Sequence, residues 1–200
     1  AEKTLFDLEL NSSSTLTPSE QAVATAQTAL DNAEKTGKKN VDNARNSALL
    51  FMSDKILSSQ IALDNINTIL EDNDAKSVLS VKNSSLLAKT RDARLEALAL
   101  ISPANQAVNL AKSLMSEAAV SSAGASVLSL LLQTDQALDY AYSMLEATIT
   151  SVDFSQTKLD SYKSLISGQS SQINTAISGI ENSIQAFHNA LLSQDTSIAV

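Results

Sequence analysis

His188 is the only histidine in the 200-residue chain, and cysteine is absent. A nucleophilic relay would therefore have to be a serine, this imidazole and a carboxylate. His188 follows Phe187 in a helical pattern near the C-terminal end. It has no second histidine to share a zinc ion, and no HExxH pair exists. The expectation is a flanking residue at a helix edge. Asp72-Asn73-Asp74 opens like a calcium loop, but Lys76 stands where a ligand is needed, Ser77 where glycine is needed and Asn83 where a bidentate glutamate is needed. That reads as a solvated turn. Gly37-Lys38-Lys39 has no earlier glycine at phosphate-loop spacing, no Ser or Thr after Lys38, and lies inside a helical pattern. Asp92 and Glu96 share a helix face at i,i+4, as a di-iron site requires, without the Glu-x-x-His motifs that complete one. No residue is assigned a catalytic, cofactor-binding or metal-ligating role, and no cofactor is expected. The chain is expected not to be an enzyme.

The elements that would position these residues are helical. With four glycines and two prolines, long stretches carry no breaker, which argues against sandwiches and barrels. Thr17-Pro18-Ser19-Glu20 is a helix start, with a cap, a first-turn proline and a glutamate at capping-box distance. From there Val23, Ala26, Leu30, Ala33, Gly37, Val41, Ala44, Ala48, Met52, Ile56, Leu63, Ile66 and Leu70 recur near 3.6 residues. That predicts one helix to about 71, continuous through Gly37. "EDND" at 71–74 reads as a turn. A second helix is expected over about 75–101, with Val78, Leu79, Leu86, Leu87, Ala93, Leu95, Leu98 and Ile101 inward. Ser102-Pro103 repeats the start signal for a third, whose core includes Val108, Ala111, Met115, Ala118, Leu128, Leu131, Leu132, Leu138, Leu145 and Ile149. "SSAG" at 121–124 either interrupts it or marks a close helix crossing. Asp153 is the expected cap of a last helix carrying Phe154, Ile166, Ile173, Ile177, Ile180, Ile184, Phe187 and Leu191. The fold class is all-α: an elongated antiparallel bundle of about four long helices with coiled-coil-like packing. Its parts are an arm and linker over 1–16, the bundle over 17–193 and a frayed tail over 194–200.

Charge narrows function further. The net charge of −8 opposes nucleic acid and anionic membrane surfaces. Residues 1–100 carry 14 acids and 11 bases, residues 101–200 only 8 and 3. The second half therefore builds its wet face from uncharged polar side chains, which lowers repulsion and desolvation cost on lateral contact. The uncharged stretch 118–134 is short for a membrane span and carries four serines. In bulk composition the chain resembles bacterial export-filament subunits such as flagellins. In length, helicity and lack of cysteine it is similar to exchangeable insect apolipoproteins. The expected function is a secreted structural, assembly or protein-interaction subunit that associates with itself or another protein. The alternative is a carrier of lipid or another apolar ligand in a bundle that opens. A pore-forming role for 118–134 ranks below both. Sequons at Asn11 and Asn83 accompany the expectation of secretion.

Overall fold

The computed structural model describes residues 2–198, with side chains placed over 18–196. Four helices follow one another: α1 (Glu2–Glu71), α2 (Ser85–Leu114), α3 (Glu117–Glu146) and α4 (Gln156–Ile198). There is no strand among the described residues. The backbone separates into two compact units, Ala1–Asn43 with Asn189–Val200, and Ala44–His188.

In the larger unit, successive helices run antiparallel. Arg94 on α2 donates to the Leu63 carbonyl on α1 at 2.9 Å, and Lys112 reaches Ser53 at 3.2 Å. Gln133 on α3 donates to Glu96 on α2 at 2.8 Å, while Ser170 and Asn174 on α4 donate to Asp135 on α3 at 3.0 Å each. Much of the core comes from expected periodic positions: Met52, Leu63, Ile66, Leu131, Leu138, Leu145, Ile166, Ile173, Ile180 and Phe187 are all buried, and Leu130 and Met144 join them from positions the periodicity did not single out. In the smaller unit α1 around Gly37 lies against the end of α4. Gly37 is buried there, and a Cβ on it would stand 2.9 Å from Gln194 Cγ. α1 passes through Gly37 without a break, as its unbroken stripe predicts.

Several boundaries differ from expectation. The segment 1–16, expected as an arm, is helical backbone from Glu2 onward. No glycine or proline interrupts it, so nothing local ends the helix before Pro18. α4 likewise continues past 193 to Ile198. Val23 and Ala26, expected in the core, are exposed, Val23 at 69%.

The second helix begins at Ser85 rather than near 75. The intervening chain is a turn-rich strap in which the Asp72 side chain accepts the Asp74 amide at 3.0 Å, a local bond that competes with continued helix. Ser80 then takes a positive φ of 57°. The strap pairs with the α3–α4 connection: Lys82 N–H donates to Ala147 O at 2.9 Å, Ile149 N–H to Val78 O at 3.4 Å, and Ser80 N–H to Thr148 Oγ1 at 3.1 Å. Val78 and Leu79 are buried as expected, with Ala75 beside them, but from a strap instead of a helix.

Ser102-Pro103 does not start a helix. α2 runs through Pro103 because Ala97, Ala104, Val108 and Ala111 form one buried stripe across it. The break falls at Met115, which adopts φ 52°, and Ser116 caps α3 by accepting the Ala119 amide at 3.3 Å. Met115 is exposed at that break, and Leu95, Ala118, Leu132 and Ile149, also expected inside, are exposed as well. The cap of α4 is Ser155, whose hydroxyl accepts the Lys158 amide at 3.3 Å, in place of Asp153.

Candidate functional site

Ser116 sets the first turn of α3, and this places Glu117 and Ser121 one turn apart on the same helix face. Three residues further, Gly124 is buried where α3 meets α4 and α1. A Cβ there would stand 2.3 Å from Ile184 Cδ1 and 3.3 Å from Met52 Cε. The small residues of "SSAG" therefore mark a close helix crossing, not an interruption. On α4, Phe187 is buried and holds its neighbour His188 edge-on, with ring centroids 5.9 Å apart. The crossing brings His188 over the start of α3.

Three side chains meet there. His188 Nδ1 stands 3.3 Å from Glu117 Oε1, and His188 Nε2 stands 3.3 Å from Ser121 Oγ. The carboxylate favours the tautomer with hydrogen on Nδ1. Nε2 is then left with a lone pair facing the serine hydroxyl. The histidine expected as an edge residue instead bridges two helices in the connectivity of an acid–imidazole–serine relay. The side chains are 40% and 57% exposed for His188 and Glu117, and Ser121 is half-buried. This meeting of three side chains was not legible in the sequence because His188 lies 67 residues from Ser121. Its only trace in the sequence is the i,i+4 spacing of Glu117 and Ser121.

A second polar cluster sits where the strap joins α4. Lys158 Nζ lies 2.8 Å from both Asp72 and Asp74, and Tyr162 donates its hydroxyl to Asp72. Burial alone would raise the Asp72 pKa. The hydrogen bonds from Lys158, Tyr162 and the Asp74 amide outweigh it and hold the carboxyl below its usual range. Burial, then the hydrogen bond to Asp72, pushes the Tyr162 phenol up to about 12. Hydrogen bonds to Asp72 and Asp74 raise the Lys158 ammonium above its ordinary value. A phenol held neutral and an ammonium held charged are fasteners rather than a nucleophile or base. Asp72 is thus mostly buried in an ion-paired clamp, which corrects the expected solvated turn for that residue.

Between α3 and α4 an open cleft of about 380 Å³ is lined by Leu138, Asp139, Tyr142, Ser143, Ile166 and Ser167, among others. Asp139 is raised above its usual range, first by desolvation and then by repulsion from Asp135.

The remaining positions singled out in the sequence stay apart. Lys38 and Lys39 are exposed on α1, and Asp92 and Glu96 are exposed on α2. Asn83 is exposed in the strap, where its Oδ1 accepts the Ser85 hydroxyl at 2.8 Å, while the side chain of Asn11 lies outside the described ones. Among the described residues no cluster of three or more His, Asp or Glu could hold a metal ion. No helix there is long and apolar enough to cross a membrane. No family model, curated protein or solved structure matches the chain.

Proposed function

We propose that the chain is a structural or protein-interaction subunit that associates through apolar ridges left outside its bundle. The observation that carries this reading is the outer face of α1. Leu50, Leu57 and Ile61 recur at i, i+7 and i+11, opposite the buried Met52, Ile56, Leu63 and Ile66, and are 67%, 55% and 49% exposed. That spacing puts them on one side of the helix, where the core gains nothing from them. Leu110, Leu114 and Met115 are also exposed, where α2 turns into α3. Single exposed apolar residues are ordinary, whereas an aligned row is the kind of surface an interface uses. Around Leu110, Leu114 and Met115, which belong to the sparsely charged second half, the same reading gains support because lateral contact there strips water from few ions.

Light-scattering mass across a wide range of protein concentration tests this. Wild type is expected to rise above 21.1 kDa, and Leu50→Glu with Leu57→Glu to stay monomeric with unchanged helix content. Mass fixed at the monomer in both would remove the proposal. The carrier alternative would require acyl chains to displace side chains that already fill the interior, such as Ile66, Leu131 and Ile173. A lipid co-purifying with the protein would favour it.

A further inference from the structure

Glu117, His188 and Ser121 have a use that association does not require. We propose that Ser121 is a nucleophile, activated by His188, that accepts the acyl group of small, activated carboxylic esters and passes it to water. The support is the ordered connectivity. Glu117 meets Nδ1 and Ser121 meets Nε2, each at 3.3 Å, so the tautomer with hydrogen on Nδ1 satisfies both contacts and leaves Nε2 to accept from the Ser121 hydroxyl. The arrangement is also built into the packing. Gly124 against Ile184, three residues after Ser121 and four before His188, fixes the crossing, and buried Phe187 fixes the ring. The outer part of the relay is open, since His188 and Glu117 are both partly exposed, so a small ester reaches it without rearrangement of the core.

The chemistry balances within these groups. Ser121 Oγ attacks the ester carbonyl carbon while its proton passes to His188 Nε2. The bond to the leaving oxygen breaks, that oxygen takes the proton from Nε2, and Ser121 is left acylated. Water then attacks the acyl carbon and gives its proton to Nε2. The carboxylic acid departs as Ser121 Oγ recovers the proton. Glu117 is a positioning residue: it touches neither ester nor water and acts through the ring. Ser121 lies within α3, so its own amide belongs to the helix ladder and does not serve the oxyanion. Missing oxyanion donors cost a factor of about 10²–10³ each in hydrolases that have them. Turnover is therefore slow, and a covalent trap is the sharper readout.

The test is an alkyl fluorophosphonate, with the modified serines mapped by peptide mass spectrometry on the full chain. Ser122 and Ser129, exposed on the same helix, are internal references. Ser121 is expected to react about 100-fold faster than either, the lower end of what a positioned general base contributes. His188→Gln should bring Ser121 down to the reference rate. Glu117→Gln should slow it, and Glu117→Asp, which keeps a carboxylate, should restore part of the loss. Circular dichroism checks that each variant remains helical. p-Nitrophenyl acetate should leave an acetyl group on Ser121 and on neither reference serine. Ser121 reacting no faster than Ser129, or equally fast in folded His188→Gln, would overturn the proposal. Neither result bears on association, which is read by mass.

Discussion

Two glycines with opposite surroundings show what single residues contribute. At Gly124 a methyl group would drive Ile184 and Met52 out of place, whereas at Gly168, inside α4, nothing lies within 4 Å. Gly124→Ala should lower stability by about 1–3 kcal/mol through overpacking. Gly168→Ala should raise it by about 0.5–1 kcal/mol, because alanine loses less backbone entropy in a helix interior. Urea denaturation of the two variants distinguishes them by sign. Ser59 is a comparable case. Thr90, Thr134 and Thr148 are buried, and each donates its hydroxyl to the carbonyl four residues back. Ser59 Oγ is buried with no hydrogen-bond partner among the described residues. Ser59→Ala should therefore stabilise by about 1 kcal/mol, read as a higher denaturation midpoint. The sequence allowed two meanings for "SSAG" and could not choose between them, because the choice depends on Ile184, 60 residues away from Gly124. The same limit hid the contacts of His188 with Glu117 and Ser121: it was visible as a lone histidine, but its partners depend on the α3–α4 register.

Helix type was legible from periodicity, and helix ends were less so. Apolar recurrence identified Met52, Ile56, Leu63, Ile66 and Leu70 on α1 and Ile166, Ile173, Ile180 and Phe187 on α4, because each helix buries one continuous stripe. Local start signals misled at Ser102-Pro103, where the stripe from Ala97 to Ala111 overrides the proline. Pro103 removes one helix hydrogen bond and crowds the carbonyl four residues back. Being exposed, it packs nothing in exchange. Pro103→Ala should stabilise by about 1–3 kcal/mol, seen as slower unfolding and a raised melting temperature.

The clamp between the strap and α4 contributes pH dependence at both ends of the scale. Asp72 has a lowered folded pKa, so its contribution is present above the ordinary value of 3.8 and is lost as pH falls through the lower folded one. Tyr162 is raised from 10.0 to about 12, so its contribution is complete below 10.0 and is lost as pH rises through about 12. The clamp is thus constant around neutrality. In a pH series of denaturation midpoints, Asp72→Asn should be less stable than wild type at neutral pH, and the gap should narrow below pH 3.8. A gap that persists undiminished in acid would mean that the clamp owes little to the Asp72 charge.

At the scale of the molecule, one amino-acid pattern serves two purposes. The inward stripes of α1 and α4 supply much of the buried core of the larger unit, and periodicity identified them as apolar helix faces, whereas on α3 it put Leu132 inside, and Leu130 is buried beside Leu131 instead. The same periodicity does not say which apolar residues remain outside. Leu50, Leu57 and Ile61 are as apolar as Met52 and Ile56, and only the packed bundle separates the two rows. For that reason the fold class was readable from the sequence and the candidate interface was not. Function at this scale depends on whether the outer row meets another chain. The most direct measurement is native mass against protein concentration, for wild type and for the Leu50→Glu, Leu57→Glu variant. Wild type should give discrete multiples of 21.1 kDa as concentration rises, and the variant a monomer throughout. A wild type that stays monomeric over the whole range, or a folded variant that assembles equally well, would contradict association through the outer row.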